Sequence, residues 1–451
     1  MTTTTPGARV LARTPHPSPV AIATALAHAF LATDDWSKNG LLAAGAEVLG
    51  ARRRWLGPVA AEVLRFYRQP PVDAPRELAA VVVLNDAFRA AVARAKKNGV
   101  PIRIAHFAPT PVRAPRGLND LSDLARLLRL PAGELDWFAD TRHWNRRAHS
   151  KRLQHYRYEW RSRPGRMPRL LEVPRPRLRE LQRTVHREIL AGLRVHSAAH
   201  GFVSGRSAAT GARFHEGARV VINLDLATFF TRVRAGRVYG IFRRAGFAEP
   251  VAHALTGLCT HSVPSGIARN APAGGTAGEW FELRRALVLP HLPQGAPSSP
   301  ALANLAVRRL DFRLEGWATA AGAVYTRYAD DLAFSGGDQL ARRADAFVRG
   351  ATRIIEAEGH LVNAHKTRVR GSSVRQTVTG IVVNERANAS RPEYERLKAI
   401  LHNCVRHGPE SQNRSGHHDF RAHLLGRVAW MELLNPARGL KLRESFDRIE
   451  W

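Results

Sequence analysis

Asp330 and Asp331 stand side by side in Tyr328-Ala329-Asp330-Asp331, and adjacent like charges are costly unless a cation compensates them. Val324, Thr326 and Tyr328 alternate with Tyr325, Arg327 and Ala329, Leu332-Ala333-Phe334 resumes an apolar run, and Ser335-Gly336-Gly337 closes it. That pattern predicts a β-hairpin with the two acids at its turn. Roughly a hundred residues upstream, Val220-Val221-Ile222-Asn223-Leu224-Asp225-Leu226 predicts a buried strand ending in a third carboxylate, followed by Phe229-Phe230. Three carboxylates delivered by two strands are suited to two magnesium ions, which stabilise the attacking and leaving oxygens of a phosphoryl displacement. Nucleotidyl transfer is the chemistry such a cluster favours.

Other segments must position and feed that cluster. After a Thr/Pro-rich lead, residues 19–99 read as helices: Val20 to Leu26, Leu41 to Leu49, and Arg76 to Lys97, the last with Pro75 in its first turn, Asn85 as a polar interruption and Gly99 at its end. Pro109 to Pro115 reads as a linker, and two short helices follow through Leu121, Leu124, Leu127 and Leu128, then Leu135 and Phe138. From Tyr156 to Arg187, arginines interleave with Tyr156, Tyr158 and Trp160, while the prolines and Gly165 favour loops and short strands over a helical face. Such interleaving suits phosphate pairing and base stacking. Residues Ser262 to Thr276 read as a flexible surface insertion; Leu292 to Pro300, with Gln294-Gly295 at a turn, leads into a helix near Ala301. Helices return from about Glu393, with Leu397, Ile400 and Leu401 in one and Leu424, Leu425, Val428 and Ala429 in the next.

Composition narrows the partners. The chain has 451 residues, with 69 Lys and Arg against 38 Asp and Glu, a net charge of +31. A basic surface of this kind favours a polyanion and predicts binding that weakens steeply with salt. Only Cys259 and Cys404 occur, far apart and without metal-ligand spacing, so a disulfide framework and a cysteine zinc site are not indicated. The longest apolar runs fall short of a membrane span, and the expected setting is the cytoplasm. The acid-poor residues Met1 to Thr33 fit a disordered lead before a helix better than a transit peptide.

The ordered series Val221 to Phe230, Leu292 to Asn304 with its Pro-Gln-Gly-Ala-Pro-Ser-Ser-Pro core, Tyr325 to Leu332, Asn363-Ala364-His365-Lys366-Thr367 and Val378 to Asn384 resembles the retron-type reverse transcriptases of bacteria. The resemblance covers roughly Gly117 to Trp451. It implies an α+β right-hand polymerase with fingers, a palm built on a small antiparallel sheet, and a helical thumb, preceded by an all-helical extension. The corresponding divisions are 1–115 for extension and linker, 116–390 for fingers and palm, and 391–451 for the thumb. It further implies that Asp225 and Asp330 ligate two Mg2+ ions, with the Leu226 carbonyl as a further ligand and Asp331 assisting. Phe230 would be the sugar gate that favours deoxynucleotides, Gln294 and Gly295 would border nucleotide and template, Arg169 would pair with the triphosphate, and Lys366 would lie near the pyrophosphate as a proton donor. Arg166, Arg175, Arg177 and His215 would contact RNA. Where these enzymes usually carry Asn-Ala-x-x-His, this chain has Gly211-Ala212-Arg213-Phe214-His215, keeping the histidine without the asparagine, so any RNA recognition through that segment would be expected to differ in detail.

The implied activity is copying of a cognate structured noncoding RNA into branched, RNA-linked DNA, primed by a guanosine 2'-hydroxyl, in antiphage defence with a separate effector protein. Alternatives are a group II intron-like or other bacterial reverse transcriptase, disfavoured by the roughly 70 residues after Gly380, and a catalytically silent RNA-binding scaffold, disfavoured by the intact Asp225, Asp330, Asp331 and Gln294.

Overall fold

A computed structural model describes residues 17–67, 70, 75–105, 118–142, 144–145, 150, 152–162 and 167–451. The lead before residue 17, the expected linker at Pro109 to Pro115, and Arg166 lie outside the described residues. The chain forms two compact units, Met1–Leu124 with Phe242–Ala252, and Ala125–Ile241 with His253–Trp451. No helix among the described residues is long and apolar enough to cross a membrane.

The first unit contains the helices Pro19–Ala32, Lys38–Leu49, Leu56–Phe66, Pro75–Leu84 and Asp86–Lys97. They enclose a core that includes Leu26, Phe30, Leu41, Val63, Leu78 and Phe88. The single helix expected over Arg76 to Lys97 is two helices. Asn85, extended at φ −66° and ψ 128°, accepts a hydrogen bond from the Phe88 amide at 3.1 Å and so caps the second. A polar residue inside an apolar repeat was here a start signal, because its side chain satisfies an otherwise orphaned amide. The helix Leu56–Phe66 has no counterpart in the sequence reading.

In the second unit, β1 (Tyr156–Arg161) and β2 (Arg169–Pro174) form an antiparallel hairpin. The basic segment is helical from Pro176 to Glu188, correcting the expectation of loops there: Pro176 occupies the first helical turn, where its missing N–H costs nothing. A four-stranded antiparallel sheet has the order β4-β5-β3-β6, with β3 Val220–Asp225, β4 Ala323–Tyr328, β5 Asp331–Gly336 and β6 Arg368–Gly371. A small pair, β7 Thr377–Val378 with β8 Ile381–Val382, lies beyond it in sequence.

Both faces of the sheet are covered. Val221 and Ala333 join the cluster built by Leu397, Leu401, Leu424, Val428 and Leu442 of the C-terminal helices Arg391–His407, Phe420–Leu434 and Pro436–Asp447. Phe334 stacks on Tyr325 at 4.9 Å and meets Phe347, from the helix Ala344–Ala357, edge-on at 5.1 Å. Full burial of each valine, leucine or phenylalanine among them stabilises the fold by about 1.5–3 kcal/mol. Residues 262–276 are less detached than a surface insertion. Val263 and Ala268 pack with Leu170, Leu283 and Leu287, and Thr276 forms a capping box with Glu279 that starts the helix Ala277–Val288.

Candidate active site

Strand register brings the three aspartates together. β3 pairs with β5 so that Asp225 faces Asp331, and the Leu226 amide donates to the Asp330 carbonyl at 2.9 Å. Tyr328 pairs with Asp331, leaving Ala329-Asp330 as a two-residue turn in which Ala329 takes the left-handed φ of 56°. At the end of β3 the Asp225 carbonyl accepts from Asn363 at 2.8 Å, and Ala227 donates to Leu361 at 2.8 Å. That loop continues to Lys366, whose Nζ lies 2.6 Å from Asp225 Oδ2.

The electrostatics express crowding of like charge. Burial, then Asp225, raises the Asp330 carboxyl above its usual range; Lys366 and Arg169 oppose the rise. Burial, Asp330 and Asp225 push Asp331 up to about 6, against the pull of Lys366. Among the described residues, no three His, Cys, Asp or Glu side chains form a preassembled metal cage. The donor chemistry nevertheless fits a hard divalent cation: the clustered acids offer only oxygen, and their mutual repulsion favours a positive charge among them.

An inner network fixes the turn. Arg327 is fully buried and donates through Nε and Nη2 to Asp311 at 2.8 and 2.7 Å, and through Nη1 to Asn304 Oδ1 at 2.8 Å and the Ala329 carbonyl at 3.1 Å. Tyr325 donates its hydroxyl to the same Asp311 at 2.8 Å. Asn304 donates to the Gly201 carbonyl at 2.9 Å, and a Cβ on Gly201 would lie 2.6 Å from the Ala329 nitrogen. Only glycine permits that approach.

The turn at Gln294 is held similarly. The Glu172 amide donates to the Gln294 carbonyl at 2.8 Å, and buried Glu172 and His291 meet at 3.1 Å. Gly295 has φ 128° and its Cβ position lies 3.0 Å from the Glu172 carbonyl. Thus Gln294 is half-buried and Gly295 exposed beside β2, which begins with the exposed Arg169.

Phe229 and Phe230 differ in exposure while their rings stay in contact, centroids 5.4 Å apart and tilted by 58°. Thr228 adopts φ 49° before the short helix Phe229–Arg232; Phe229 is buried near His360, while Phe230 remains partly exposed. Arg177 is exposed, with a long contact of 3.4 Å to the Arg129 carbonyl, whereas Arg175 uses Nε to donate to the Gln154 carbonyl at 2.7 Å.

His215 does not fit the expected RNA contact. It is fully buried, its Nδ1 2.7 Å from the Ser335 hydroxyl and its Nε2 2.7 Å from the Thr326 hydroxyl, so it ties β4 to β5. Burial pulls its pKa down to about 4 and keeps it neutral near pH 7. The sequence reading also missed Arg327, Asp311, Glu172, His291 and Gly201. An arginine inside a run that is otherwise apolar or hydroxylic, and a glutamate between Leu171 and Val173, were the available signals.

The chain matches the family described as reverse transcriptase (RNA-dependent DNA polymerase) over residues 163–382. Among its relatives, the retron Mx65 reverse transcriptase of Myxococcus xanthus is 40% identical over 327 residues, 71% of this chain and 69% of the relative. The retron Mx162 reverse transcriptase of Myxococcus xanthus is 34% identical, covering 77% of this chain and 72% of the relative. The retron Ec86 reverse transcriptase of Escherichia coli is 32% identical, covering 53% and 66%. The chain belongs to the retron reverse transcriptases, enzymes that polymerise DNA on an RNA template.

Proposed function

We propose that this reverse transcriptase is a magnesium-dependent right-hand polymerase that copies a structured noncoding RNA into DNA still joined to that RNA. The convergence of Asp225 with Asp330 and Asp331 carries the proposal. The four-stranded sheet with its covering helices would be the palm, the β1–β2 hairpin part of the fingers, and the helices after residue 391 the thumb, with divisions at 1–115, 116–390 and 391–451.

Asp225 and Asp330 would hold two Mg2+ ions, with the Leu226 carbonyl and Asp331 assisting. When bound, such ions lower the pKa of a primer hydroxyl and neutralise charge on the departing pyrophosphate. Lys366, whose Nζ lies 2.6 Å from Asp225 Oδ2, would meet that pyrophosphate and give it a proton. Arg169, whose charge is felt at Asp330, would pair with the triphosphate. Gln294 and Gly295 would border nucleotide and template, and the exposed edge of Phe230 would exclude a ribose 2'-hydroxyl. Arg166, Arg175 and Arg177 would meet RNA phosphates.

By kinship with retron enzymes, the primer would be a guanosine 2'-hydroxyl in the template RNA, the product branched, and the setting antiphage defence with a separate effector. Incubating the purified protein with the noncoding RNA encoded beside its gene, Mg2+ and labelled deoxynucleotides tests this. The expected product is labelled DNA that stays joined to one guanosine after ribonuclease digestion and disappears when Mg2+ is chelated. DNA free of RNA would overturn the branched product, and no incorporation on any primed RNA would favour the silent scaffold.

A further inference from the structure

Phe202 is a large apolar residue left 47% exposed, and it adopts φ 60°, in the left-handed region that side-chain-bearing residues rarely occupy. A glycine there would relax the backbone, so the unfavourable conformation is retained together with a ring. Strain of this kind concentrates where a side chain must be aimed. The ring centroid lies 6.4 Å from that of Phe230, tilted by 50°, and 6.3 Å from that of Tyr328, tilted by 39°. Both separations fall within the range of interacting aromatic pairs. The backbone leading into Phe202 is fixed to the acidic turn: Gly201 presses on Ala329, and its carbonyl accepts from Asn304, which Arg327 also holds.

We propose that Phe202 is a positioning residue for sugar selection, bracing Phe230 from the side of the Ala329-Asp330 turn so that the Phe230 ring keeps its place under the incoming sugar. The inference rests on the assignment of Phe230 as the sugar gate. Without the brace, the Phe230 ring can rotate away from a 2'-hydroxyl instead of clashing with it. Discrimination then depends on two rings, one contributed by a segment that precedes β3.

The test is the ratio of kcat/KM for a deoxynucleotide to that for the matching ribonucleotide, measured with full-length protein on a primed RNA template. Phe202→Ala is expected to lower this ratio by about tenfold, the scale on which a lost apolar contact alters specificity. Phe202→Tyr should restore it, and Phe202→Leu, with thermal melting as a check, covers the case in which the alanine variant folds poorly. Phe230→Ala is the control for the underlying assignment. If Phe230→Ala relaxes discrimination while Phe202→Ala and Phe202→Leu keep the wild-type ratio, the brace is refuted and the gate stands. An equal fall for both sugars at Phe202 also refutes it, in favour of general packing. If Phe230→Ala itself leaves the ratio unchanged, the gate assignment fails and the brace fails with it.

Discussion

Asp330→Asn is expected to reduce DNA synthesis by at least about 10³-fold, since the metal chemistry proposed for this carboxylate contributes several kcal/mol at about 1.4 kcal/mol per decade. The same change should leave the melting temperature unchanged or raise it when divalent ions are chelated. Asp330 is held above its ordinary carboxylate pKa by burial and by Asp225, so its ionised form opposes folding at neutral pH. The Asp331 carboxyl has a folded pKa of about 6 against an ordinary 3.8, so the unfolded state releases the proton first. Stability from this group is therefore present below pH 3.8, lost between 3.8 and about 6, and absent at pH 7. Asp331→Asn should flatten that part of a melting-temperature profile in EDTA. Parallel loss of activity and of melting temperature in both variants would instead mark the aspartates as structural.

Asp311→Ala is expected to destabilise the protein by about 3–5 kcal/mol, because it strands the Arg327 guanidinium without a counter-charge in the interior. Chemical denaturation measures this directly. Replacing both partners, Asp311→Leu with Arg327→Met, should recover much of the stability, as apolar substitutes of similar volume often do for buried ion pairs. Activity should stay depressed in the double variant. Its methionine cannot donate to the Ala329 carbonyl or to Asn304, so the turn carrying Asp330 loses its inner support. Recovery of stability and activity together would show that the pair does nothing for the turn.

The parts of the site that follow from local pattern were readable in the sequence. The apolar run Val220 to Leu224 ends in Asp225 as β3 does, and the alternation after Val324 with the closing glycines predicted the β4–β5 hairpin and its acidic turn. Arg327 escaped because strict alternation describes a strand with one wet face. Here Tyr325, Thr326 and Arg327 are buried in succession under helices on both sides. His215 was misjudged for a related reason. It stands between Phe214 and Glu216 in a short polar stretch, and nothing local reveals that Thr326 and Ser335, more than a hundred residues on, present hydroxyls to both ring nitrogens. Gly201-Phe202 has no periodic pattern at all, and its importance comes from pressing against residues 328 and 329. Adjacent Phe229 and Phe230 look equivalent as letters; only the left-handed Thr228 and the turn that follows send one ring inward and leave the other partly exposed.

Iron-directed backbone cleavage tests most directly whether separate carboxylates hold one pair of ions. Fe2+ replaces Mg2+ in the protein bound to primed RNA and a nucleotide, and peroxide with ascorbate generates hydroxyl radicals at the metal. Cuts are expected near residues 225–226 and again near 329–331, both suppressed by excess Mg2+ and both lost in Asp330→Asn. Cuts confined to one of these segments, or a pattern that survives Asp330→Asn, would contradict a shared pair of ions.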